Sequence, residues 1–289
     1  MNASPPTSSR AERTALIVLG CFTALAIAGY GYYALHPENL PATGFALRFY
    51  TISFGVFSQL HILVSFLALA ILLVRRTGAR WVPALAAVYL LSWASEHVGT
   101  GYGIPFGGYG YTGLLGMRLG PRVPVLIPLS WFIMALPSWV IARAVLPGKR
   151  LAPIVLGALG LVLWDLALDP AMSFLTAYWR WEDSGPYYGM PWLNLVGWFA
   201  TGLALMSALS VAGRGGAFDE LPVRWMAMFY GLVVALPLGM LAAAGSWLAV
   251  ATTIFAIALT GAIVTVLRGG SVVSSGTTSA HTADAAVAS

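Results

Sequence analysis

Eight runs of about 20 apolar residues, at roughly 14–35, 49–73, 81–98, 124–146, 152–172, 191–212, 224–244 and 246–267, leave this chain little choice of fold. A run of that length matches the thickness of a bilayer, and lipid forces backbone polar groups to bond within the segment. The predicted class is therefore all-α, a polytopic transmembrane helix bundle with about eight spans. Gly245-Ser246 reads as the tight hairpin between the last two. Composition agrees: 59% of the residues are hydrophobic and 9% charged, against about 25% charged in soluble domains.

The flanking segments are different. Residues 1–13 read as a polar N-terminal segment, 14–268 as a single transmembrane domain, and 269–289, rich in Ser, Thr and Ala, as a disordered tail. The first span is too long for a signal-peptide core and no small-residue cleavage site follows it, so it is expected to be retained. One cysteine, Cys21, excludes a disulfide framework and a thiolate cluster. The net charge of +5 is scattered over short loops, which argues against nucleic acid and for a topology signal. With the N-terminus inside, eleven basic residues fall on the cytoplasmic side (Arg10, Arg13, Arg75, Arg76, Arg80, Arg143, Lys149, Arg150, Arg214, Arg224 and Arg268). Four fall outside: Arg48, Arg118, Arg122 and Arg180. The expectation is a multi-pass protein of the cell membrane, both termini cytoplasmic, with long outer loops at about 99–123 and 173–190.

Three acids resist an ordinary loop reading. Glu96 ends the third apolar run, and Asp165 and Asp169 lie in the last turns of the fifth. A charged acid at the centre of a spanning helix costs about 2.5–3.5 kcal/mol, so such groups face a partner or a cavity. Asp165 and Asp169, at i and i+4, share a helix face about 6 Å apart along the axis. In the expected topology all three approach one leaflet, together with Asn194. The alternative is that they pair with Arg118, Arg122 or Arg180 and only tie down loops.

The outer loops are unusual for linkers. Nine of the 24 residues from 99 to 122 are glycine, yet the loop carries Tyr102, Phe106, Tyr109 and Tyr111. The second loop holds Trp179, Trp181, Tyr187, Tyr188 and Trp192. An interfacial aromatic belt explains any one of these rings. Their density beside the acids also suits a long apolar groove, with Trp131, Trp164 and Trp198 as further candidates. "YGIP" at 102–105 and "YGMP" at 188–191 hint at a duplicated helix pair. His97 adjoins Glu96 but points about 100° away on a helix. His61, mid-span beside Gln59, fits a helix–helix hydrogen bond better than a ligand. No metal-ligand spacing is present, and none is expected to bind. Walker, serine-elbow and dinucleotide motifs are absent.

Taken together, the motifs resemble one family. Glu96-His97-x-Gly99-x-x-x-Gly103-x-Pro105-Phe106-Gly107-x-Tyr109-x-Tyr111 is followed by Asp165-x-x-x-Asp169-Pro170-x-Met172 and Trp179-x-Trp181. Gly185-x-Tyr187-x-Gly189-x-Pro191-x-x-Asn194-x-x-Gly197-Trp198 completes the set, over about 85–200. This pattern resembles the membrane carotenoid-biosynthesis proteins that include bacterial carotenoid 1′,2′-hydratase and archaeal bisanhydrobacterioruberin hydratase. The resemblance implies addition of water to the C1′=C2′ bond of an acyclic end group, with no redox cofactor. Lycopene or γ-carotene type pigments, water and lipid would be the partners, beside other enzymes of the pathway.

The residues suit that chemistry. Hydration needs a proton donor, a base to orient water, and rings to stabilise a tertiary cation. Glu96 and Asp169 are the expected donor and base, in either order, with Asp165 tuning them. Asn194 would hold water, and Tyr109, Tyr111, Trp181, Trp198 and His97 would line the end-group pocket. The competing classes are a proton-coupled transporter, a paired-aspartate hydrolase, a non-catalytic carotenoid-binding protein, and an enzyme that isomerises or cyclises the end group.

Overall fold

The computed structural model describes residues 9–40, 43–182 and 184–285. Its helices are α1 (Arg10–Gly29, extended by a π-turn at Tyr30–Ala34), α2 (Phe45–Thr77), α3 (Val82–Tyr102), α4 (Leu126–Val145), α5 (Ala152–Asp169, extended by a π-turn at Pro170–Leu175), α6 (Trp192–Ala212), α7 (Val223–Ala243) and α8 (Trp247–Ala285). Four short strands, β1 (Tyr109–Tyr111), β2 (Arg118–Leu119), β3 (Val123–Pro124) and β4 (Trp179–Trp181), lie in the two long loops. The fold is the expected polytopic all-α bundle.

Among the described residues seven helices are long and apolar enough to cross a membrane, including Gly55–Thr77 within α2 and Trp247–Arg268 within α8. The eighth, α3, has 21 residues. Ser92, Ser95, Glu96, His97, Gly99, Thr100 and Gly101 crowd its second half and lower its hydropathy.

Local signals explain several boundaries. Ser9 caps α1 in a capping box with Glu12. The helix thus begins inside the stretch read as a polar segment, because Glu12 is buried against Arg76 and does not trail in water. Residues 1–8 lie outside the described residues. Gly103, at φ 71°, ends α3 in the left-handed conformation that glycine adopts without strain. Gly245 turns the chain between α7 and α8, as the hairpin reading requires. The backbone of α8 stays helical to Ala285, through most of the stretch read as a disordered tail; residues 286–289 lie outside the described residues.

At the centre, α5 packs on α4 and α6, and α3 packs on the same two helices from another side. Small residues permit the approach, as is usual between membrane helices. A Cβ added at Gly202 of α6 would lie 3.0 Å from the Cα of Ala158 of α5. Pro137 interrupts α4 and Pro237 interrupts α7.

Candidate active site

The two long loops meet above the ends of α3 and α5. β1 and β4 pair antiparallel, with Tyr109 opposite Trp181 and Tyr111 opposite Trp179. Residues two apart in a strand share a face. One face of this ribbon therefore carries two phenols and two indoles, while Gly110 and the exposed Arg180 turn outward.

Each strand serves the acid on the helix before it. Glu96 is buried near the end of α3, and its Oε2 accepts from the hydroxyls of Tyr109 and, at 2.6 Å, Tyr111. Its Oε1 accepts from the indole N–H of Trp131 on α4 at 2.9 Å. Asp169, the last residue of α5, is 1% exposed. Its Oδ1 accepts from Trp181 at 3.0 Å and from the Ser173 hydroxyl at 2.7 Å, and its Oδ2 accepts from Trp179 at 3.1 Å. All six donors are neutral. Neither acid, nor Asp165, forms an ion pair with Arg118, Arg122 or Arg180 among the described residues, so the loop-tethering alternative does not describe this site. Burial, and next the Glu96 carboxyl, push the phenols of Tyr109 and Tyr111 well above the ordinary 10.0. Both stay hydrogen-bond donors at any working pH.

Asp165 is placed differently. Its Oδ2 accepts from the Asn194 amide at 2.7 Å, while its fully buried Oδ1 has no partner among the described residues. It stands behind Asn194 and does not border the cavity next to the other two acids. That cavity, about 90 Å³, lies under the ribbon and is bordered by Glu96, Asp169, Asn194, Tyr109, Tyr111, Trp181 and Trp198. About 10–15 Å³ of such space holds one water, so the cavity suits several waters or the end of a slender hydrocarbon chain. Trp131 and Trp198 stack at 4.1 Å between ring centres and form one wall.

The expected residues thus converge on the cavity, except Asp165, which reaches it only through Asn194, and His97. His97 leaves the group: its ring stacks on Trp93 at 5.2 Å, and it does not border the cavity. The 100° helical step that turns Glu96 inward turns His97 away. His61 borders the cavity from α2 and bonds to Thr23 of α1 at 3.0 Å, a helix–helix contact. Sequence reasoning missed Ser173, which sits at i+4 from Asp169 and so was within reach of a spacing argument. It also left Trp131 and Trp179 as general aromatics; their donor roles follow from tertiary placement alone. Among the described residues no three of His, Cys, Asp and Glu are grouped to hold a metal ion.

A buried, aromatic-capped cluster of carboxyls thus sits inside a multi-pass helical bundle whose apolar helices define a membrane protein. The chain belongs to the carotenoid biosynthesis protein family, whose model matches residues 57–260, more than half of its length. Among curated relatives it is 32% identical over 169 residues to the bisanhydrobacterioruberin hydratase of Haloarcula japonica, covering 57% of this chain and 55% of that protein. The chain therefore spans about half the length of this relative. No solved structure matches it.

Proposed function

We propose that this protein is a carotenoid hydratase, a cofactor-independent hydro-lyase that adds water across the C1′=C2′ double bond of an acyclic carotenoid end group. Lycopene and γ-carotene carry such ends, and the product is a tertiary alcohol. The observation that carries this reading is the ribbon: four aromatic donors hold two buried carboxyls side by side above an apolar, ring-lined cavity. Family membership and the hydratase relative support it.

In this reading one of Glu96 and Asp169 gives its proton to C2′ of the end group. The C2′–H bond forms with the alkene electron pair, which leaves a tertiary cation at C1′. A water held beside Asn194 attacks C1′, and the other carboxyl takes the proton that water releases. Faces of Trp131, Trp198 and Tyr109 stabilise the passing cation, and the closed ribbon keeps bulk water away. Asp165 fixes the Asn194 amide and thereby positions the water. The polyene enters from the lipid of the cell membrane, with both chain ends cytoplasmic and the ribbon on the opposite side, as the distribution of basic residues supports. Other carotenoid-pathway enzymes would supply the substrate.

The test is expression in a bacterium that makes lycopene or γ-carotene, with pigments separated and weighed by mass spectrometry. A product heavier by one water supports the proposal. Unchanged pigment across several acyclic substrates, with the protein present in the membrane, would favour a carotenoid-binding or proton-coupled transport role.

A further inference from the structure

The cavity has a second end. From the acid layer it runs inward along α2, where Ser58, His61 and Ser65 sit at i, i+3 and i+7 on one face. By helix rise, Ser65 lies about 10 Å deeper than Ser58, and Trp164 about 8 Å deeper than Asp169. Apolar surroundings prevail here, yet polar groups border the space. Ser65 is 1% exposed and its hydroxyl has no partner among the described residues. Trp164 is 4% exposed and its indole N–H has none either.

Two helix carbonyls beside the cavity lack their usual donor. Proline has no N–H, so Pro137 cannot bond to the carbonyl of Ile133, nor Pro237 to that of Val233. Both Ile133 and Val233 border the cavity. A third proline shows what the fold does elsewhere. Pro170 cannot reach the carbonyl of Leu166, and the Tyr187 hydroxyl takes that acceptor at 2.8 Å. No side chain among the described residues does so for Ile133 or Val233. Leaving a buried donor or acceptor unpaired costs about 1–3 kcal/mol, and here the Ser65 hydroxyl and the Trp164 indole belong to residues that border one space.

We propose that this inner end is a second subsite that binds a neutral oxygen, either a water or an oxygen function on the polyene, about 8–10 Å inward of the carboxyls. Ser65 and Trp164 donate to it and the proline-freed carbonyls accept any hydrogen it carries. The site carries no formal charge, so an anion or cation gains nothing there. The proposal rests on the hydratase reading only for the identity of the polyene.

The experiment uses the full chain in lipid nanodiscs. Two acyclic polyenes of equal length are compared, one a pure hydrocarbon and one with a hydroxyl or keto group about 8–10 Å from its terminal double bond. Binding is followed by quenching of tryptophan fluorescence, and product mass is measured in the same samples. The expected result is that the parent chain prefers the oxygenated polyene about tenfold and that Ser65→Ala and Trp164→Phe lose the preference. If the parent shows no preference but only the two variants lose binding or turnover under osmotic stress, the subsite holds water. Variants that keep both the parent's ratio and its osmotic response overturn the proposal. Ser65→Cys, which keeps the volume with a weaker donor, serves where Ser65→Ala does not fold. A parent that shows the preference but forms no hydrated product would remove the hydratase reading and leave the subsite standing.

Discussion

Two ends of this bundle bury carboxylates, and they do so in opposite ways. At one end Glu12, 1% exposed, receives Arg76 Nε on one oxygen and Nη2 on the other, both at 2.8 Å, with Arg75 at 4.0 Å. The Trp225 indole bonds to the backbone carbonyl of the same residue. At the other end Glu96 and Asp169 are as deeply buried but receive only hydroxyls and indoles. A bidentate guanidinium fixes a carboxylate in its charged form and leaves it nothing to exchange. Neutral donors fix its position without supplying a counter-charge, so either protonation state can be held there. Under the proposed function, what separates the structural acid from the two reacting ones is the charge of its partners and not its burial.

That contrast is open to direct attack. The largest expected effect is on turnover: Glu96→Gln and Asp169→Asn should each lower hydration by about 10²–10⁴-fold, the usual weight of general acid–base groups. Glu12→Gln should leave turnover per folded molecule within about twofold and lower stability by roughly 1–3 kcal/mol, between the exposed and buried limits for ion pairs. Parallel pigment assays and thermal melts in detergent separate the two. If Glu12→Gln instead silenced the protein without unfolding it, the division of roles would fail. Next, Tyr111→Phe and Trp181→Phe each remove one donor from a carboxyl of the proposed site; turnover per folded molecule should fall by about 10–100-fold and stability by about 1–3 kcal/mol. The smallest effect is one of pH. Because the phenols of Tyr109 and Tyr111 are raised in the folded state, their contribution to stability is complete below pH 10.0 and is lost as pH rises beyond it. Melts of Tyr109→Phe should show a shallower alkaline decline than those of the parent.

Much of the architecture was readable because lipid imposes one strong rule. Apolar runs gave the helices and their order, and the Gly245-Ser246 hairpin marked the last turn. The three acids and Asn194 were readable as misfits in those runs. The ribbon was not. β1 and β4 are three residues each and lie 70 positions apart, so neither carries a period that signals pairing. Trp179 therefore looked like an interfacial ring, and the bond from Trp131 to Glu96 depends on how α3 meets α4. His97 was grouped with Glu96 by adjacency in sequence, which a helix converts into divergence. The start of α1 was set too late because its partner, Arg76, comes from another helix.

The pairing of β1 with β4 also acts as a gauge between halves of the chain. Each strand grips the acid of its own half, and the register between strands sets the spacing of the two acids. A slip of one residue in either strand would turn that strand's two donors to the opposite face and strip one acid of both. The segments beside the ribbon hold the same gauge by close packing: a Cβ added at Gly107 would lie 2.9 Å from Pro191, and one at Gly197 2.7 Å from the carbonyl of Pro105. The distance between the carboxyls is thereby tied to a hydrogen-bonded ladder, and a change in one loop is felt at the acid served by the other.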